Sequence, residues 1–205
     1  MSLDALKRIL SAHTPAPMDA THRCAVLVPL VEREGELHLL YELRAASLRA
    51  QPSEVCFPGG GMDPGESAVD CALRETWEEL GIPPQSIRVL GGLDFICHRS
   101  GLVLYPILAQ IQEQALTGMS VNADEVDEVF TIPLSALRAM PTEAYRYDLI
   151  PTPGADFPYE RLGIPKDYPW RTASESFSVY RWQGKTVWGL TGRITRHLLD
   201  LLDEV

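Results

Sequence analysis

With 205 residues, 45% of them hydrophobic, the chain carries enough apolar material to bury a sizeable core in one domain. Its net charge of −10 argues against nonspecific binding to nucleic acid or to an anionic membrane, since both need a basic surface. An anionic small-molecule substrate stays open, because metal ions held by acidic side chains invert the local sign of charge.

The opening segment MSLDALKRILSAHTP is charged and amphipathic and lacks a continuous apolar stretch. It predicts an ordinary first helix begun at Ser2, not a signal peptide, and no later apolar run is long enough to span a bilayer. Residues 13–18 form a proline-punctuated linker. The runs CAVLVPL (24–30) and ELHLLYEL (36–43) predict two strands of a hairpin, and VCF (55–57) predicts a short strand leading into Pro58 and three glycines. A helix is expected over 67–80, ended by Gly81 and barred from continuing by Pro83 and Pro84. Strands over 87–93, 102–112 and 128–132 follow, then a short helix near 134–140.

Residues 141–171 change character, with six prolines interleaved with Tyr145, Tyr147, Phe157, Tyr159, Tyr168 and Trp170. So many aromatics predict a packed excursion, where proline content alone would suggest a linker. SFSVYRW and KTVWGL then flank a two-residue Gln-Gly turn. The final helix is expected to carry Ile194, Leu198, Leu199, Leu201 and Leu202 on its apolar side. No repeat or second core is visible, so the expectation is one domain over 1–205, with helix and linker at 1–20 and an insertion at 141–171. Cys24, Cys56, Cys71 and Cys97 have no CxxC spacing, which reads as reduced thiols in a cytoplasmic protein. Cys56 is expected to fill core space, and Cys97–His98 has no second ligand at metal spacing.

The chemistry is concentrated in GGMDPGESAVDCALRETWEELGI (60–82). Val69, Ala72, Leu73, Thr76, Trp77 and Leu80 recur at helical spacing and predict one mostly apolar stripe, from which Glu75, Glu78 and Glu79 project on the other side. Like charges this close destabilise a bare helix, whereas hard oxygen ligands so grouped suit Mg²⁺ or Mn²⁺ together with substrate phosphate oxygens. A solvated acidic face would explain the glutamates alone. It does not explain Gly60, Glu66, Arg74, Glu75, Glu78, Glu79 and Gly81 together, a coincidence on the order of one in a million at background frequencies.

That pattern resembles the Nudix box, G-x5-E-x7-R-E-U-x-E-E-x-G-U with U apolar, at every fixed position; Thr76 stands at the first U. The resemblance implies a Nudix hydrolase: an α/β/α sandwich around a mixed central sheet that cleaves a nucleoside diphosphate linked to another moiety. It places metal on Glu75, Glu78 and Glu79, gives Glu66 the loop–helix junction, and makes Arg74 an orienting group. A carboxylate must also take the proton of the attacking water. The candidates are Glu75 and, in NADEVDEVF, Glu125, where the family often supplies a further acid; Asp124, Asp127 and Glu128 compete for that role. Gly60 shapes the turn into the helix and, with Arg44 and Arg49, is expected to meet the anionic substrate, for which the arginine fork is suited.

The segment LLYELRAASLRAQPSEVCFPGG (39–60), with DEVDEVFTIPLSAL and VWGLTGRITRHLL, is similar to coenzyme A pyrophosphatases, which split coenzyme A into 3′,5′-ADP and 4′-phosphopantetheine. Gln51, Ser53 and Glu54 depart from the His, Gly and Gln expected there, Gly61 replaces a residue that is often basic or bulkier, and the aromatic excursion has no counterpart in short members. ADP-ribose, NADH or dinucleoside polyphosphate are the alternative substrates. A Nudix-fold nucleotide sensor without turnover is the alternative class, disfavoured because every acid of the box is kept. Dimerisation is common in this family, which leaves a homodimer open with the first helix as a candidate contributor, though no residue pattern in the sequence proves it.

Overall fold

The computed structural model describes residues 2–141 and 143–204. In chain order the elements are α1 (Leu3–Ala12), β1 (His22–Arg33), β2 (Glu36–Arg44), β3 (Val55–Cys56), β4 (Gly59–Gly61), α2 (Ala68–Leu80), β5 (Ile87–Gly92), β6 (Ile96–Cys97), β7 (Leu102–Ile111), α3 (Glu113–Thr117), β8 (Val126–Pro133), α4 (Leu134–Ala139), β9 (Glu143–Leu149), α5 (Tyr159–Leu162), β10 (Ala173–Trp182), β11 (Lys185–Val187) and α6 (Gly189–Asp203). They fall into two compact units, Met1–Gly35 with Phe57–Asn122 and Glu36–Cys56 with Ala123–Val205. Each is of mixed α/β class.

In the first unit β1 runs parallel to β7, in register from His22↔Leu102 to Val31↔Ile111. β7 is antiparallel to β5 and β6, and β4 is antiparallel to β1, so the pairing is mixed, as expected. Both β1 and β7 read as near-continuous apolar runs because both of their faces are covered. Ala25, Leu27, Val28, Val31, Val103, Ile107, Ala109 and Ile111 form the core with Cys71, Ala72, Leu80 and Ile82. α2 packs on β1 and β4. α1 is capped by Ser2 as predicted, but Leu3, Leu6, Ile9 and Leu10 are exposed and none of its residues is buried.

The second unit pairs β2 antiparallel with β3 and β8, and β10 antiparallel with β9 and β11. Leu39, Leu40, Tyr41, Ile132, Leu137, Val179, Tyr180, Val187, Ile194, Leu198 and Leu199 are buried, and Tyr41 Oη meets Thr195 Oγ1 at 3.0 Å. Gln183 and Gly184 (φ 46° and 84°) make the predicted two-residue turn between β10 and β11.

Several expectations are corrected. Gly59–Gly61 is a strand, not a loop: glycine has low strand propensity, yet a Cβ at Gly59 would strike the β1 backbone and one at Gly60 the Glu75 carboxylate of α2. Leu201 and Leu202 lie exposed beyond the buried stripe of α6. The 141–171 segment holds an unforeseen strand, β9, whose Tyr145 and Tyr147 flank Phe177 of β10, and a group of edge-to-face rings, Phe157, Tyr159, Tyr168 and Trp170. It packs ring on ring without burying any described residue. The four cysteines are free, and Cys56 is more than filler: its thiol donates to the buried Glu42 Oε1 at 3.2 Å. Among the described residues no helix is long and apolar enough to cross a membrane.

Candidate active site

Both ends of α2 are fixed locally. Ser67 Oγ accepts from Asp70 N–H at 3.1 Å, satisfying a first-turn donor. Gly81 ends the helix in the left-handed region (φ 68°) with its N–H on Trp77 C=O at 2.8 Å. A Cβ there would stand 2.9 Å from the Ser120 backbone, so the position needs glycine twice over. Ser120 N–H and Asn122 N–H then satisfy the Leu80 and Glu79 carbonyls at 3.1 and 2.8 Å.

The face that α2 turns to the strands differs from the predicted stripe. Cys71, Ala72, Thr76, Glu79 and Leu80 are buried, while Trp77 is 58% exposed. Glu79 therefore does not project outward. It is 3% exposed, and its Oε2 accepts the Gly59 N–H at 2.8 Å. Thr76, the one departure from the box, satisfies its buried hydroxyl by donating to Ala72 C=O at 2.7 Å.

Glu75 is seated on Gly60. A Cβ at Gly60 would meet all three carboxylate atoms of Glu75 at 2.5–2.6 Å, so the missing side chain is the space the carboxylate occupies. Around it Arg74 makes a hub. Nε and NH2 grip Glu66 at 2.9 and 3.0 Å, NH2 also donates to Gly61 C=O at 3.0 Å, and NH1 donates to Glu75 Oε1 at 2.8 Å and Glu78 Oε2 at 3.0 Å. Glu66 is fixed from its other side by Asp63 N–H at 2.9 Å. Its carboxyl is pulled down to about 2, chiefly by the Arg74 hydrogen bonds and next by the Asp63 N–H. The guanidinium is correspondingly raised, first by Glu66. Burial pushes the Cys71 thiol up to about 11, with the Glu66 charge adding to it, and burial followed by the Glu75 charge raises Cys24. Neither thiol is a ready nucleophile.

Three carboxylates, Glu66 before α2 and Glu75 and Glu78 on it, thus share one guanidinium, and a fourth, Glu79, is buried on α2. Hard, anionic oxygens in excess of positive charge fit Mg²⁺ or Mn²⁺. Among the described residues, however, no three acidic, imidazole or thiol groups already stand at ligand spacing. NH1 holds Glu75 and Glu78, and Glu79 is turned to Gly59.

The remaining predicted residues lie in the second unit. Arg44 ends β2, with its Nε buried and without a hydrogen-bond partner; Arg49 is exposed in the following bend. Glu125 directly precedes β8, and its C=O accepts Ala45 N–H at 2.8 Å. Of its competitors, Asp127 caps Ala46 N–H at 3.0 Å and Glu128 pairs with Lys185 at 2.8 Å, so both have structural partners. Sequence reasoning missed Glu42, fully buried in β2; its place in an apolar run beside Leu39, Leu40 and Tyr41 was the available signal.

The NUDIX domain model matches residues 21–152, and the chain belongs to the Nudix family. It is a Nudix hydrolase, an enzyme that cleaves a diphosphate linkage. It is 34% identical over 193 residues to Nudix hydrolase 3 of Caenorhabditis elegans, covering 90% of this chain and 75% of that protein. To the mitochondrial coenzyme A diphosphatase NUDT8 of Mus musculus it is 32% identical over 198 residues, covering 96% and 85%. To the peroxisomal coenzyme A diphosphatase NUDT7 of Mus musculus it is 34% identical over 139 residues, 67% of this chain and 57% of that one, so it spans little more than half of that relative.

Proposed function

We propose that the enzyme hydrolyses coenzyme A to 3′,5′-ADP and 4′-phosphopantetheine. The supporting observation is the likeness to mitochondrial coenzyme A diphosphatase NUDT8, which runs through 96% of this chain rather than through the box alone. Glu75, Glu78 and Glu79 would hold Mg²⁺ or Mn²⁺; when bound, such ions neutralise diphosphate oxygens and lower the pKa of water. Gly60 gives Glu75 a fixed seat, Arg74 and Glu66 orient that seat, and Gly59 N–H fixes Glu79. Proton removal from the attacking water falls to Glu75 or Glu125. Arg44 is the better-supported phosphate contact of the two arginines, because a buried Nε–H without an acceptor is costly until an anion supplies one.

Incubation with coenzyme A and magnesium, followed by mass spectrometry, tests the reading. The expected products are 3′,5′-ADP and phosphopantetheine in equal amounts. Intact coenzyme A beside rapid turnover of ADP-ribose or a dinucleoside polyphosphate would overturn the substrate and leave the hydrolase class standing.

A further inference from the structure

The guanidinium of Arg74 is divided in function. One half, Nε with NH2, is locked in a two-pronged grip on Glu66 and on Gly61 C=O, and Glu66 is itself held by Asp63 N–H. The other half, NH1, alone reaches Glu75 and Glu78. None of the anchored half's hydrogen bonds is made by NH1. Of the two carboxylates on NH1, Glu78 has a side chain 52% exposed, and Glu75 rests on Gly60 through the end of its chain. Two of the three proposed ligands are therefore tied to a resident cation and the third, Glu79, to Gly59 N–H, and among the described residues no ready three-ligand group stands.

We infer that Arg74 is an exchangeable counter-ion: NH1 neutralises Glu75 and Glu78 in the metal-free protein and must release their oxygens for a divalent cation to be held, while the Glu66 grip keeps the guanidinium in place. The affinity of the box for metal is then set by a swap of one cation for another rather than by the carboxylates alone. This rests on the proposed assignment of metal to Glu75, Glu78 and Glu79.

The test uses the full chain without substrate, so turnover plays no part. Free Mn²⁺ is followed by its electron paramagnetic resonance signal in titrations of wild type, Arg74→Gln and Arg74→Lys, and Tm is measured with and without Mn²⁺. Arg74→Gln should bind Mn²⁺ on the order of tenfold more tightly, the scale of losing a competing charged hydrogen bond. Its metal-free Tm should fall, and saturating Mn²⁺ should restore more of it than the same ion adds to wild type. Arg74→Lys, whose single ammonium cannot hold the Glu66 fork and reach both other acids, should shift the same way by less; it decides the question where Arg74→Gln does not fold without metal. Mn²⁺ affinity unchanged or weaker in both variants, with an equal loss of Tm in either condition, makes Arg74 merely structural and overturns the exchange. Wild type that takes up no Mn²⁺ overturns instead the metal assignment on which the exchange rests.

Discussion

Replacing Gly60 with alanine separates position from presence. The Glu75 carboxylate stays in the protein but loses its seat, since the new Cβ would lie 2.5 Å from its Cδ and Oε2. Ordinary contact begins near 3.4 Å, so the carboxylate must retreat by about 0.9 Å. A displacement on that scale at a reacting group costs roughly 10²-fold in rate. Stability should hardly move. The obstructing atoms are the mobile end of a side chain, Gly60 is not in a left-handed conformation, and the lower chain entropy of alanine when unfolded offsets about 0.4–1 kcal/mol of any lost pairing with Arg74. Gly61→Ala is the matched control, because a Cβ there meets nothing within 4 Å. Steady-state kinetics on the best substrate, at magnesium concentrations up to saturation, with Tm read in parallel, should show a loss of kcat near 10²-fold for Gly60→Ala and near-wild-type rates for Gly61→Ala, all three proteins melting within a few degrees. Wild-type kcat in Gly60→Ala would refute the claim that the seating of Glu75 governs the chemistry.

Three further outcomes follow from the same geometry. Glu79→Gln preserves volume and can still accept the Gly59 N–H, so it should fold normally yet lose metal-dependent turnover by orders of magnitude; near-wild-type activity at saturating magnesium would remove Glu79 from the site. Gly81→Ala places a side chain in the left-handed region and against the Ser120 backbone, which should cost about 3 kcal/mol and lower Tm by roughly 6–12 °C in thermal melts. The Glu66 carboxyl is depressed in the folded state to about 2, so its contribution to stability is present above the usual carboxylate pKa and fades only as pH falls toward 2. Glu66→Gln should therefore flatten the acid limb of a Tm-against-pH curve between about pH 4.5 and 2; an unchanged limb would show that Arg74 does not hold that carboxylate ionised.

What the chain order betrays and what it hides divide along one line, the distance in sequence between partners. Ser67 caps a donor three residues away, Gly81 bonds a carbonyl four residues back, and Gln183–Gly184 closes a turn between adjacent strands. The helix stop and the turn were legible because the physics is local, and the start was missed by one residue, Ser67 being the cap and not the first helical residue. The burial of Glu79 was not, since its partner is Gly59, twenty residues earlier and in another element. Helical periodicity sorts residues by polarity and so set Trp77 inside and Glu79 outside, the reverse of the fold. Composition failed at β9 for a related reason: prolines at 141, 151, 153, 158, 165 and 169 leave 143–149 free to pair with β10, and a count over the whole segment cannot see that gap.

The two inversions at α2 have a common cause, and it bears on why the box is so specific. A helix that only needed a solvated acidic face would put every glutamate outside and every apolar residue inside. Here a carboxylate is driven into the packed face and a tryptophan out of it, at a cost in burial free energy that a purely structural helix would avoid. The compensation comes from backbone that only Gly59 and Gly60 can bring so close, Gly59 N–H to Glu79 and the empty Cβ position of Gly60 under Glu75, while Gly61 adds its C=O to Arg74. The three glycines and the acids of α2 therefore form one device, with the strand lending its bare backbone to hold the helix's charges in place. A substitution at Gly59 or Gly60, or in the acids they seat, should be felt as a change in the other half.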